Sequence, residues 1–109
     1  GYAYASTYRT RPAYRYTVED SVYVHPDCAG QRIGSALLPE VIAGCERAGR
    51  RQMIAVIGDS ENWPSIKLHE KFGFRHAGLL PATGYKFGRW VDSVLMQREL
   101  GPGSAQPPR

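Results

Sequence analysis

The sequence predicts an α/β domain in which a mixed β-sheet carries helices on its faces. Three features lead to this. Tyrosines at 2, 4 and 8 alternate with small residues, and a second alternating stretch ends in Val22-Tyr23-Val24. A polar, glycine-bearing turn is followed by Ala36, Leu37, Val41, Ile42 and Cys45 near helical spacing. Met53-Ile54-Ala55-Val56-Ile57 is a short continuous apolar run between polar flanks, the pattern of a central strand covered on both faces.

Taken in order, residues 1–8 read as a strand and Arg9 to Tyr14, containing Pro12, as a loop. Residues 15–24 form the second strand, which His25-Pro26-Asp27 stops. Ala29-Gly30-Gln31-Arg32-Ile33-Gly34-Ser35 is a polar turn opening a helix, with Pro39 in or near its first turn, where proline is tolerated. Gly49 ends that helix as a left-handed cap. After the apolar strand, Asn62 offers cap chemistry and Pro64 fits the first turn of a second helix carrying Ile66, Leu68, His69 and Phe72. Gly73 caps it. Phe74 to Leu80 reads as a strand, Pro81 to Trp90 as a loop, and Val91 to Leu100 as the last strand. The order strand-strand-helix-strand-helix-strand-strand implies a mixed sheet. Residues 1–100 form the domain, and the Gly-, Pro- and Ser-rich stretch 101–109 is expected to be a disordered tail.

A chain of 109 residues is one domain or part of one. No apolar run is long enough to span a bilayer and no signal peptide is visible, so a membrane partner is not expected. The two cysteines, Cys28 and Cys45, lack metal-ligand spacing; no metal is expected, and two reduced thiols fit a cytoplasmic protein. The net charge of +4 permits nucleic acid or an acidic ligand. The basic residues do not interleave with aromatics as an RNA-binding face would, and a polyanionic small ligand fits the charge as well as nucleic acid does. A glycine-bearing turn into a helix N-terminus exposes N–H groups suited to phosphate oxygens. The same stretch also reads as a plain strand-to-helix turn.

Two motifs narrow the reading. Val22-Tyr23-Val24-His25-Pro26-Asp27, the turn, and Ile33-Gly34-Ser35-Ala36-Leu37-Leu38 resemble motif A of the GNAT superfamily, the pyrophosphate loop for acetyl-CoA. Asn62-Trp63-Pro64-Ser65, followed by Leu68-His69-Glu70-Lys71-Phe72-Gly73-Phe74, resembles motif B. The resemblance runs over about residues 1–100 and implies a GNAT-type mixed sheet and an acetyl-CoA-dependent N-acetyltransferase. It assigns acetyl-CoA to Val22, Val24, Ala29, Gly30, Gln31, Arg32, Ile33, Gly34 and Ser35, with Asn62 and Ser65 on the pantetheine arm. The family pattern Arg/Gln-x-x-Gly-x-Gly/Ala places its first position on Ala29 and its glycines on Arg32 and Gly34. Arg32 then either crowds the loop, since only glycine lacks a Cβ, or pairs with a phosphate.

Gly1-Tyr2-Ala3-Tyr4-Ala5, Ala13-Tyr14, Thr17-Val18-Glu19 and Gly84-Tyr85-Lys86-Phe87-Gly88-Arg89-Trp90-Val91-Asp92 resemble the phosphinothricin and methionine-sulfoximine acetyltransferase branch. In that branch a glutamate at the position of Glu19 is the general base, which a protonated amine acceptor requires. Arg11 and Tyr14 fall where the branch holds the acidic end of an amino-acid acceptor. His69 falls where many GNAT enzymes keep a tyrosine as acid for the departing thiolate; a lone helical histidine is also often structural. With this resemblance the expected partner is a small-molecule amine and no nucleic acid, and a homodimer is compatible with the family. Another amine, such as a protein N-terminus or a polyamine, and a non-catalytic CoA-binding module are the alternatives. The chain opens mid-strand without methionine, so the expectation is that it lacks a preceding strand-and-helix segment.

Overall fold

Alternation along each strand decides which face of the sheet carries the core. In the computed structural model, which describes residues 2–8, 14–23, 31–58, 60, 62–86 and 88–107, the elements are β1 (Tyr2–Thr7), β2 (Thr17–Tyr23), α1 (Gln31–Arg47), β3 (Gln52–Gly58), α2 (Trp63–Lys71), β4 (Arg75–Lys86) and β5 (Arg89–Glu99). The sheet order is β1-β2-β3-β5-β4. Only β2 and β3 run parallel, joined by the α1 crossover; the other pairings are antiparallel, so the sheet is mixed as expected.

Val18 of β2, Met53, Ala55 and Ile57 of β3 and Val94 and Met96 of β5 share one face. Leu38 and Ile42 of α1 and Ile66 and Leu68 of α2 complete a single buried cluster on that face. Met53, Met96 and Leu38 are fully buried. The apolar run at 53–57 led to the expectation of a strand covered on both faces. β3 is central, but Val56, on the opposite face, is 46% exposed, and among the described residues both helices lie on the core side.

α1 begins at Gln31, so Gln31 to Ser35 are helical rather than part of a turn, and Pro39 lies in the middle of the helix instead of its first turn. Pro39 cannot donate to the Ser35 carbonyl, a local gap in the helix ladder. Gly34 is buried where α1 meets α2: a Cβ there would stand 2.7 Å from Leu68 Cδ2. Its lack of a side chain therefore serves helix packing. Alanine usually improves a helix by about 1 kcal/mol over glycine, but overpacking costs about 1–3 kcal/mol. We expect Gly34→Ala to lower the melting temperature and Gly44→Ala, whose added methyl meets only Arg47 Nη2 at 3.7 Å, to raise it. Equal shifts in thermal denaturation would refute the packing role.

The last hairpin departs most from expectation. The loop expected from Pro81 to Trp90 is strand up to Lys86. β4 is an edge strand, where a missing N–H does little harm. Register shifts at His76/Gly78 and Leu80/Gly84 absorb the irregular residues, including Ala82 at φ 51°. The Ala82 N–H donates to Asp92 Oδ1 at 2.8 Å, which fixes the second irregularity to β5. Tyr85 and Trp90 pair across the hairpin, edge to face at 5.1 Å, and both stay largely exposed. The tail expected to be disordered turns back through Pro107. Arg51 donates to the carbonyls of Gly103, Gln106 and Pro107, and Gly103 is buried.

Candidate active site

A parallel ladder that stops early creates the site. β2 and β3 pair only over Thr17↔Gln52, Val18↔Met53 and Glu19↔Ile54. Beyond that point lies a cleft of about 390 Å³, lined by residues 19–21 of β2, residues 55–58 of β3, and Asn62, Ser65 and His69 of α2. Adjacent strand residues face opposite sides. Glu19 therefore lies on the helix-free face, while Asp20, buried, turns toward the helices. Both still border the cleft, because the cleft runs between the strands.

The first turn of α2 forms the opposite wall. Asn62 is its N-cap, and Asn62 Oδ1 accepts from the Ser65 N–H at 3.4 Å; Pro64 sits in the first turn as expected. One turn later His69 is buried, with the edge of its ring against Phe74 at 4.8 Å. His69 Nδ1 donates to the Ser65 carbonyl at 2.7 Å, and Nε2 lies 2.7 Å from Asp20 Oδ2. A carbonyl only accepts, so Nδ1 carries a proton and donates it to Ser65, while Nε2 faces the Asp20 carboxylate. Burial pushes the His69 pKa down, but the Asp20 hydrogen bond and charge, with the Ser65 carbonyl, outweigh it and hold the pKa above 6.5. With both ring nitrogens engaged, His69 releases a proton into the cleft only by opening the Asp20 contact. The geometry thus argues against the direct acid role that the sequence suggested for it.

The N-terminal end of α1 supplies anion-binding chemistry. Its first turn holds no acidic residue, so the positive end of the helix is uncompensated from within. Lys71 Nζ, from the end of α2, donates to Ser35 Oγ at 3.2 Å and brings a cation beside that turn. Val22 lies in β2, and Gln31, Arg32 and Ile33 open α1. Val24, Ala29, Gly30 and Arg11 lie outside the described residues. Tyr14 is exposed just before β2 and is not among the residues lining the cleft. Glu19, Asn62, Ser65 and His69 are therefore brought together, Gly34 serves packing, and Tyr14 stands apart.

Residues 1–74 match the model of the acetyltransferase (GNAT) family. The chain belongs to that family. This GNAT chain is 55% identical over 108 residues to a phosphinothricin N-acetyltransferase of Alcaligenes faecalis, covering 99% of this chain and 55% of that protein. It is 43% identical over 105 residues to an L-methionine sulfoximine/L-methionine sulfone acetyltransferase of Salmonella typhimurium, covering 96% and 61% respectively. The fold matches that of a GNAT superfamily phosphinothricin acetyltransferase from Sinorhizobium meliloti in complex with acetyl-CoA, with a TM-score of 0.93 and 52% identity over 98% of this chain and 57% of that one. The chain thus spans a little over half the length of these relatives.

Two residues of this candidate site in the GNAT chain escaped the sequence reading. Asp20 stands beside a catalytic candidate in a strand, and only the alternation of faces separates their roles. Lys71 joins α1 through tertiary packing, which sequence spacing does not reveal. The Cys45 thiol on α1 is pushed up from 9.0 by burial, which outweighs the lowering effect of Arg50, and Asp20 adds to the rise. It stays protonated at neutral pH and is a poor nucleophile. Among the described residues no group of three candidate metal ligands occurs, and no helix is long and apolar enough to cross a membrane.

Proposed function

We propose that this protein transfers acetyl from acetyl-CoA to the α-amine of an amino acid or analogue, of the phosphinothricin or methionine-sulfoximine type. The observation that carries this reading is the position of Glu19, at the last β2–β3 pair and on the rim of a cleft whose other wall is the capped start of α2. The α1 N-terminus, whose first turn holds no acidic residue, and Lys71 suit the diphosphate of acetyl-CoA, and Asn62 and the Ser65 hydroxyl suit its pantetheine arm. Backbone groups near Val22 and Val24, and the segment 29–35, belong to the same proposed cofactor site.

Bound acetyl-CoA would supply the thioester carbonyl that the amine attacks; as the C–N bond forms the C–S bond breaks, and CoA leaves as a thiolate that takes its proton from solvent. Glu19 accepts the proton that the acceptor ammonium must lose, directly or through a water. Asn62 holds the thioester end in place through its amide, while remaining the cap of its helix. The cytoplasm is the compartment this chemistry implies. Thiol release from acetyl-CoA that depends on an amino-acid acceptor tests the reading. Acetyl-CoA binding without turnover on any amine would leave a CoA-binding module instead.

Specificity for an acidic acceptor rests on Arg11. A charge-assisted arginine contact is worth about 1.5–3 kcal/mol, roughly ten- to a hundredfold in affinity. Arg11→Ala is expected to raise the acceptor KM by that factor and leave the acetyl-CoA KM nearly unchanged. Methionine sulfone should beat a simple amine in the parent and lose that advantage in the variant. A parent that prefers polyamines would remove the amino-acid assignment and leave acetyl transfer standing.

A further inference from the structure

Asp20 is the first residue beyond the β2–β3 ladder. At the point where the ladder to β3 ends, while that to β1 continues to Tyr23, the Asp20 carboxylate takes up a contact to α2 instead. The side chains of His69 and Asp20 are only 4% and 3% exposed. The Asp20–His69 contact and the His69–Ser65 carbonyl contact are each 2.7 Å, so a continuous chain runs from β2 through the ring to the first turn of α2. No buried side-chain nitrogen or oxygen among the described residues lacks a partner. A buried ion pair is often no more stabilising than apolar residues of the same volume, so what it contributes is a defined geometry. The groups facing this pair are Glu19 on the cleft side, the Cys45 thiol of α1, which senses the Asp20 charge, and the uncharged Phe74 ring after α2.

We propose that Asp20 is a positioning residue for the acetyl transfer proposed above, on which this inference rests: through His69 and the Ser65 carbonyl it fixes the first turn of α2 against the strand that carries Glu19. The distance across the cleft, from Glu19 to the Asn62 and Ser65 wall, is set by a hydrogen-bonded side-chain chain in place of the missing ladder. Displacing reacting groups by about 1 Å can cost on the order of a hundredfold in rate. The role is therefore one of geometry rather than charge, and two near-isosteric variants separate these. Asp20→Asn removes the charge but keeps the reach. Its amide N–H donates to Nε2 of a neutral His69, whose Nδ1 still donates to Ser65. Asp20→Glu keeps the charge but lengthens the arm by one methylene.

Steady-state acetylation should show Asp20→Asn within about threefold of the parent kcat, and Asp20→Glu reduced by about ten- to a hundredfold with the acetyl-CoA KM nearly unchanged. A role in charge or proton relay predicts the reverse order, and that order would overturn the proposal. So would equal kcat values for parent and Asp20→Glu. NMR supplies a readout free of turnover: nuclear Overhauser contacts between β2 and the first turn of α2, which span the cleft, should match the parent in Asp20→Asn and shift in Asp20→Glu. If the parent shows no turnover, the acetyltransferase reading fails, and these contacts alone then decide whether Asp20 sets the position of α2. Parental contacts in Asp20→Glu overturn it.

Discussion

Glu19→Gln is expected to lower kcat by about 10²–10⁴-fold at neutral pH while leaving acetyl-CoA binding nearly intact. Glutamine has the size of glutamate and keeps its hydrogen-bonding reach, but it cannot take a proton from an ammonium group. Glu19 lies on the helix-free face, away from the buried cluster, so the substitution leaves the core and the Asp20–His69 contact untouched. The deficit should shrink as pH rises, because a growing share of the acceptor amine is already free. Thiol-release kinetics across the alkaline range, paired with calorimetry of acetyl-CoA binding, measure both arms. A variant with parental kcat and an unchanged pH profile would remove Glu19 from the mechanism.

The second large effect concerns stability. His69→Leu leaves the Asp20 carboxylate buried without its partner, which typically costs about 3–5 kcal/mol. The sign of the pH dependence follows from the raised pKa of His69. A group that binds its proton more tightly in the folded state contributes stability that is complete below its unfolded value, here 6.5, and lost as pH climbs through the higher folded value. The parent should therefore weaken as pH rises above neutrality. His69→Leu, without the imidazole, should lack that decline. Urea unfolding from about pH 5 to about pH 9 gives both curves. A variant as stable as the parent at neutral pH would show that the pair is not the buried contact described.

Much of this fold is written in local pattern. The alternation through Thr17–Tyr23, the helical spacing from Ala36 to Cys45 and the Asn62-Trp63-Pro64 cap each specify one element through short-range physics. The element order then follows, and with it the parallel β2–β3 pair. What stayed illegible depends on neighbours distant in sequence. Pro81 looks like the end of a strand, yet an edge position and a carboxylate from Asp92 let β4 continue past it. Met53 to Ile57 reads as buried throughout, while the chain places one side of β3 in the open. Glycine at 34 carries a phosphate-loop signature in the sequence, but Leu68 explains its small size. Of the site, Glu19, Asn62, Ser65 and His69 were readable from motifs. Asp20 was not, because its importance lies in a partner on another element, 49 positions along the chain.

Pro39 has a consequence for how α1 opens. A helix propagates cooperatively because each residue's carbonyl is locked by the amide one turn ahead. At Ser35 that lock is absent, while Leu38 and Ile42, just beyond, are anchored in the core. The ladder therefore has one weak point, between a short leading turn and a long body. Gly34 against Leu68 and Ser35 accepting from Lys71 still tie the end of that turn to α2, so the gap lies between one anchor on α2 and another on the sheet. The amides of the leading turn should exchange with solvent on a much faster clock than those of the body. Stiffness is thus greatest where α1 holds the domain together, through Leu38 and Ile42.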